Sequence, residues 1–328
     1  MSTTRICIDD GSTNIKLAWL EGSEIRTHIS PNSFKPEWSF NFGSEETQAN
    51  YEIAGEKYSF DPNSADAVNT TDIRYQYSPV NVVAIHHALH KSGLVPGDIE
   101  VAVTLPLSEY LTSDNQPNKD NIAKKKESVL RAVKADGRKQ QFVIKKVAVL
   151  PESIPAGFKV LSALPEYDSL LIVDLGGTTL DISHIASKMA GITQTGFDAK
   201  IGVSIVTNGI RDAMQANTRV GPLQAEAIYL RHKEADFLAH RLYDDALRRN
   251  VLQAIAERET SLIRKVLEAI EPFHGYTHVM CVGGGAPIIA QAVKQATRMP
   301  ADRFFVGDQP QIGLVTGMLH MREGIPNE

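Results

Sequence analysis

Cysteine is scarce. Cys7 and Cys281 are the only two, and each sits inside an apolar stretch. They read as small buried hydrophobes in a reduced cytosol, which excludes a disulfide framework. No apolar run approaches the ~20 residues needed to span a bilayer. The chain passes from Arg5 through a short apolar strand to the acidic pair Asp9 and Asp10, so no secretory signal is expected. Residues 321–328 are polar, and no membrane anchor is expected there. Positive charge is not in excess either: the net charge of −5 argues against wholesale nucleic-acid binding. The pattern G-x-G-x-x-G is absent, which leaves a Rossmann dinucleotide site little support. The Walker pattern G-x-x-x-x-G-K-[ST], H-E-x-x-H and paired C-x-x-C are missing as well.

What remains is an ordinary globular composition, 42% hydrophobic and 22% charged, which sets aside disorder and coiled coil. At ~150 residues per domain, 328 residues suggest two domains. Residues 5–9 read as a short buried strand and 15–20 as its antiparallel return. The stretches 24–30, 51–53 and 57–60 alternate and are broken by turn residues such as Ala54 and Gly55. Helical spacing is expected over 80–91, 122–133, 152–164 and, longest of all, 241–271, where Leu242, Leu247, Val251, Ile255, Leu262, Val266 and Ile270 recur near a 3.6 period. Strands are expected at 99–105 and 142–150. Strands alternating with helices imply an α/β architecture with a largely parallel sheet.

The most informative feature is internal. Residues 6–17 can be laid on 171–182, so that Asp9 meets Asp174, Gly11 meets Gly176 and Thr13 meets Thr178. The offset of 165 residues is close to half the chain. Two related halves are implied, each opening with strand, Asp-x-Gly turn, strand.

Such a turn has a chemical use. Glycine lets the backbone bend tightly and approach a ligand. Successive N–H groups and hydroxyls then converge and can cradle phosphate oxygens. The leading aspartate would repel phosphate alone; it makes sense if it holds Mg²⁺, directly or through water. One such turn alone is weak evidence and reads first as a plain hairpin, where Asp and Gly are common. Two copies at half-chain spacing point to a phosphate tail clamped from both sides, with Lys16 placed to neutralise one of its oxygens. A third element, residues 277–289, is a strand, then Gly283, Gly284 and Gly285, then a helix, and admits a flat ring or phosphate against a helix N-terminus. Glu152 lies where a strand meets a helix. It is placed to orient or deprotonate an attacking water, or else is a helix-start glutamate favoured by the dipole.

These motifs, taken in order, resemble the actin, Hsp70 and sugar-kinase superfamily. Segments 9–17, 28–34, 58–62, 115–118, 151–157, 174–183 and 275–280 are similar to the plasmid-segregation actins of the ParM (StbA) family. The similarity runs from about residue 5 to 320 and thins across 215–245. It implies a duplicated actin-like (ribonuclease H-like) fold of two lobes around a nucleotide cleft. The lobes would be residues 1–165 and 166–328, with the last ~20 residues packing back on the first. It implies that Asp9 and Asp174 organise Mg²⁺ through water. Asp10, Gly11, Ser12, Thr13, Asn14 and Lys16 would form the first phosphate loop, and Gly176, Gly177 and Thr178 the second. Glu152 would be the hydrolytic glutamate, catalytic together with Asp9 and Asp174, and Gly283, Gly284 and Gly285 the adenosine loop. Segment 313–317 resembles the second connecting segment, where small residues let two helices cross. The implied activity is hydrolysis of ATP or GTP coupled to a cytoplasmic helical filament of the chain itself. A centromere-binding adaptor of the ParR type would cap the filament, plasmid DNA would be touched only indirectly, and no membrane is involved.

Residues 119–146 hold ten Lys or Arg against Asp120, Glu127 and Asp136. This segment, with Lys124, Lys125 and Lys126, reads as a solvated basic face, a contact to acidic surface between filament strands, or a DNA contact. The second is the working hypothesis. His86 and His90 stand four apart but read as an ordinary helix face, and Trp19 and Trp38 as packing residues. The alternative function is a monomeric small-molecule kinase such as a sugar or acetate kinase, for which no acceptor-activating aspartate is visible. A chaperone finds no room for a peptide-binding domain, and a membrane-bound actin finds no amphipathic terminus.

Overall fold

The computed structural model describes residues 4–40, 49–214, 219–307 and 309–324. Segment 215–218, inside the stretch where the family similarity thins, lies outside the described residues, as do residues 1–3 and 325–328. Strands β1 (Thr4–Asp10), β2 (Asn14–Glu21) and β3 (Glu24–Pro31) form an antiparallel meander. β4 (Phe34–Pro36), β5 (Ala49–Ile53) and β6 (Glu56–Phe60) follow. Helix α1 (Pro79–Lys91) then leads to β7 (Asp98–Leu105), the short α2 (Leu107–Tyr110), α3 (Lys119–Val129), β8 (Val133–Ala135), β9 (Val143–Pro151) and α4 (Phe158–Ala163). The first sheet runs β3-β2-β1-β7-β9, and a smaller antiparallel sheet runs β4-β6-β5-β8.

The second lobe repeats the plan. β10 (Ser169–Leu175), β11 (Leu180–Ala186) and β12 (Ile192–Asp198) form the meander. Helices α5 (Ser204–Met214), α6 (Pro222–Leu230), α7 (Ala235–Arg241) and α8 (Asp245–Ile270) precede β13 (His278–Val282), α9 (Ala286–Thr297), β14 (Phe304–Val306) and α10 (Gly313–Glu323). Its sheet runs β12-β11-β10-β13-β14, the same order as the first. In register, Asp9 faces Lys16 across one hairpin and Asp174 faces Asp181 across the other.

The expectation of a largely parallel sheet is corrected. Each five-stranded sheet has two antiparallel and two parallel pairings. The connection from β1 to β2 is a few residues long, which permits only an antiparallel return, whereas β1 to β7 is long enough for a crossover. Helix boundaries shift for local reasons. The long helix begins at Asp245 rather than 241, because the Asp244 side chain accepts the Leu247 N–H and caps it. The basic helix spans 119–129, capped by Asn118, and the chain turns into β8 by Val133. The helix expected over 152–164 is broken: Ser153 sits at φ 66°, residues 154–157 form a 3₁₀ turn, and α4 covers only 158–163.

Each lobe has its own apolar core, and a third lies between them. There Cys7, Ala18 and Ala102 of the first sheet and Leu170, Ile172 and Ile185 of the second meet Ile154, Leu161, Leu314, Val315, Met318 and Leu319. Each fully buried leucine there contributes about 1.5–3 kcal/mol. Helix α10 packs on β1, β2 and the 154–157 turn. Arg5 and Arg322 reach Glu323 and Glu100 at its far end. Both cysteines are buried free thiols.

Candidate functional site

Between the lobes lies a cleft of ≈ 540 Å³. Its floor is made by the two Asp-x-Gly turns. The first carries Asp9, Gly11, Ser12, Thr13 and Asn14; the second carries Asp174, Gly176, Gly177 and Thr178, and all line the cleft. The turns touch: Ser12 Oγ and Thr178 Oγ1 are 3.0 Å apart. A Cβ on Gly177 would stand 1.9 Å from Thr13 Oγ1, so only glycine lets the loops approach this closely. The N-terminal end of α5 backs the second loop, with Val203 and Ser204 donating N–H groups to Gly176 O and Gly177 O at 3.1 and 2.7 Å.

The charges on this floor are unbalanced. Asp9, Glu152, Asp174 and Asp181 line it, with Lys16 2.7 Å from Asp9. Burial works against the Lys16 charge, but Asp9, Asp174 and Glu152 outweigh it and hold the ammonium above its ordinary range. Burial, then Asp181 and Asp9, push the Asp174 carboxyl up to about 7, against Lys16. Burial raises Asp181 to about 6, opposed by hydrogen bonds from the Leu107 N–H and Thr179. Glu152 is raised well above the carboxylate range by burial and by the four aspartates Asp181, Asp9, Asp174 and Asp10. Such a floor favours a cation with oxygen ligands, so the donor set fits Mg²⁺. Among the described residues, no three His, Cys, Asp or Glu converge to hold a metal by themselves. Water and phosphate oxygens would therefore complete the coordination.

Glu152 stands one residue beyond β9, in the bend before Ser153. Its N–H is fixed to Leu105 O at 2.8 Å. It is not in a helix, which removes the helix-start reading.

Gly283 and Gly284 line the cleft. Gly283 has φ 83°, and a Cβ there would lie 2.3 Å from Asp174 Oδ1. The loop after β13 thus packs against the second aspartate. Gly285 does not line the cleft. It caps α9, donating its N–H to Leu175 O, and a Cβ would meet the Leu175 side chain at 2.6 Å.

Asp10, expected in the phosphate loop, is likewise absent from the cleft wall. Side chains alternate along a strand, so Asp9 faces the cleft and Asp10 the interior. Asp10 is fully buried and pairs with Lys125, also fully buried. Lys125 therefore does not belong to the solvated basic face. Its neighbours do: Lys124 and Lys126 are exposed, with Lys124 Nζ 4.3 Å from the Tyr77 ring centre. The ring nitrogens of His86 and His90, on the mostly buried α1, find no hydrogen-bond partner among the described residues, and the His90 ring packs edge-on against Phe142 at 4.9 Å. Trp19 is buried, whereas Trp38 is part-exposed and donates Nε1–H to Tyr51 O at 2.8 Å.

Several cleft residues were not anticipated. Asp181 is the 165-residue counterpart of Lys16, so the repeat itself could have found it. Further lining comes from Asn208 and Arg211 of α5, Leu223, Glu226 and Tyr229 of α6, and Ile288 of α9. Asn14 reaches across to Glu226 Oε1 at 3.3 Å.

Two lobes of matching strand order, joined by a shared core and facing each other through paired Asp-x-Gly turns, define an actin-like protein. Solved structures share this fold over nearly the whole chain. A ParM filament from Clostridium botulinum, described as 15-stranded, aligns at TM-score 0.71 and 16% identity, covering 99% of this chain and 100% of that one. A non-polymerisable quadruple mutant of pCBH ParM gives 0.70 and 16%, with 99% and 100% covered. Ta0583, an archaeal actin homolog in complex with ADP, gives 0.68 and 15%, with 98% and 99% covered. The chain belongs to the ParM family of plasmid segregation proteins: residues 4–163 match the family model for the ParM N-terminal part and 164–321 that for its C-terminal part. No curated protein sequence matches it.

Proposed function

We propose that the chain binds ATP or GTP with Mg²⁺ between its two phosphate loops and polymerises in that state into a helical filament. Hydrolysis then destabilises the filament. The observation that carries this reading is the contact of the two loops across the cleft, Ser12 to Thr178 at 3.0 Å, above a carboxylate-rich floor. A phosphate tail held there touches both lobes at once. Its terminal group favours the closed arrangement, and its loss lets the lobes relax.

Asp9 and Asp174 would hold the Mg²⁺ through water, and the ion would neutralise charge on the phosphate oxygens. Residues 11–14 and 176–178 supply N–H groups and hydroxyls to the same oxygens, and Lys16 adds a fixed positive charge. Glu152 orients the attacking water and takes its proton. Gly283 and Gly284 give the nucleoside a close approach. Asp10 and Gly285 act from behind the cleft.

The filament described for a ParM of like fold supports polymerisation, and the ADP complex of an actin homolog supports a nucleotide in the cleft. A head-to-tail contact that does not close into a ring makes an open helix. Membership of a plasmid segregation family supports cargo attachment through a DNA-bound adaptor of the ParR type at the filament end. Among the described residues no helix is long and apolar enough to cross a membrane.

Right-angle light scattering tests the reading. With Mg²⁺ and ATP or GTP, scattering should rise and then decay; a non-hydrolysable analogue should hold it, and ADP or GDP should not raise it. Glu152→Ala should give polymers that outlast the wild type. A chain that stays monomeric with every nucleotide refutes the proposal.

A further inference from the structure

Lys125 lies in the middle of α3, yet its side chain is fully buried. Its ammonium donates to the Asp10 carboxylate and reaches Gln76 O at 2.8 Å, Gln76 Oε1 at 2.7 Å and Asn81 Oδ1 at 3.2 Å. An ion pair taken wholly out of water gives little net stability over apolar side chains of the same volume. Packing alone does not account for it.

The far side of Asp10 points to a role. Asp10 Oδ2 takes Lys125 and the Asn81 amide, the latter at 2.9 Å. Asp10 Oδ1 takes the Thr104 N–H at 3.1 Å and the Thr104 hydroxyl at 3.3 Å. That same hydroxyl is 3.5 Å from Glu152 Oε1. Thr104 and Glu152 are held side by side by the parallel pairing of β7 and β9, in which Thr104 faces Leu150 and Leu105 faces Pro151. Two carboxylates therefore compete for one hydroxyl proton.

We propose that Lys125, Asp10 and Thr104 are positioning residues for Glu152. Lys125 neutralises Asp10 and weakens its claim on the Thr104 hydroxyl, while Asp10 still anchors Thr104 through the backbone N–H. The hydroxyl is then free to donate to Glu152 and fix its carboxylate toward the cleft. Without Lys125, Asp10 would capture the hydroxyl and set an uncompensated charge beside Glu152. None of the three lines the cleft. The inference rests on the reading of Glu152 as the group that orients water.

Lys125→Met leaves Asp10 buried without its counter-ion and is liable to misfold, so Thr104 carries the test. Thr104→Val keeps the shape and loses the hydroxyl; Thr104→Ser keeps the hydroxyl and loses a methyl. In the full chain, with Mg²⁺ and ATP or GTP, Thr104→Val should lower kcat about tenfold or more. Its affinity for a non-hydrolysable analogue should stay within about twofold of wild type, because the residue does not touch the cleft. Thr104→Ser should restore most of the rate. Added to Glu152→Gln, Thr104→Val should cause no further loss in single-turnover hydrolysis. Wild-type kcat in Thr104→Val, equal impairment in Val and Ser, or a multiplied defect in the double variant overturns the relay. Should the wild type hydrolyse neither nucleotide, or Glu152→Gln leave the rate unchanged, the reading of Glu152 falls and the relay with it. A rate that needs Glu152 but ignores Thr104→Val overturns the relay alone.

Discussion

Asp174 shows how one side chain couples the cleft to protons. Burial, Asp181 and Asp9 hold it at about 7 in the free protein, against an ordinary value of 3.8. Between those values the folded chain keeps a proton that the unfolded chain has released. Asp174 therefore makes the free protein less stable as pH rises through that window. A cation between Asp9 and Asp174 favours the ionised form and pulls the value back down. Binding of Mg²⁺ and nucleotide near pH 6.5 should thus expel protons into the buffer. Calorimetry in two buffers of different ionisation enthalpy measures the number released, and Asp174→Asn should lower it; identical counts refute the assignment. The aspartates that open each turn were readable in the sequence because strand, Asp-x-Gly, strand is a local pattern repeated at 165 residues. Asp10 was misplaced because motif order does not say which strand face a side chain takes. Lys125 was misread because a charge count does not see burial. A signal existed nonetheless: Ile122, Lys125 and Val129 share one helix face at i, i+3 and i+7.

Helix α1 is seated with unpartnered imidazoles inside. Both ring nitrogens of His86 are buried with no hydrogen-bond partner among the described residues. Burial, then His90, push His86 down to about 3, below its ordinary 6.5. The unfolded chain binds the proton more readily between these values, so this contribution to stability is complete above 6.5 and is lost as pH falls toward about 3. His86→Leu should move the acid-unfolding midpoint to lower pH. It should also add about 1 kcal/mol at neutral pH by removing unsatisfied polar atoms; an unshifted midpoint argues against it. Helix α10 offers a matched pair of glycines. A Cβ on Gly317 would lie 1.9 Å from Pro155 O, where α10 crosses the 154–157 turn, whereas one on Gly313 meets nothing within 4 Å. Gly317→Ala should cost about 2–3 kcal/mol in urea unfolding, and Gly313→Ala less than about 0.5 kcal/mol. The long helices were legible from their 3.6 period. The 153 break was not, because a left-handed φ at a serine leaves no periodic trace. On α3, Lys124 and Lys126 are exposed whereas Lys125 is buried, so a surface role in assembly would fall to the outward pair. Lys124→Glu with Lys126→Glu should raise the concentration needed for polymerisation and change its salt dependence, while adding Lys125→Glu should instead unfold the lobe. Unchanged assembly at low salt refutes the surface role.

The two lobes meet in the shared core, where α10 crosses, at the two Asp-x-Gly turns, and through polar contacts such as the Leu107 N–H to Asp181. The shared core with its α10 crossing is apolar, so under the proposed function the turns are where a bound phosphate tail would act on the angle between lobes. The duplication made the two-lobed plan legible. The contacts across the cleft mouth were not, since Asp66 with Arg219 and Asn14 with Glu226 join segments that share no pattern. Gly177 tests whether loop contact governs the state of the molecule. Its backbone is not in the left-handed region, so alanine adopts it without strain. The atoms nearest the added methyl all belong to the other lobe, Thr13 Oγ1 at 1.9 Å, Thr13 Cβ at 3.0 Å and Ser12 Oγ at 3.6 Å. Gly177→Ala therefore wedges the loops apart without entering either core. Thermal unfolding of the free protein should move by no more than a few degrees, because the loss falls on a solvent-lined contact. Affinity for a non-hydrolysable triphosphate should fall about tenfold or more, since one ligand no longer reaches both loops. The affinity for the diphosphate should fall less. Polymerisation with the triphosphate should need correspondingly more protein. If the variant binds both nucleotides as the wild type does and assembles at the same concentration, the terminal phosphate does not act by bridging the lobes, and filament growth must be gated elsewhere.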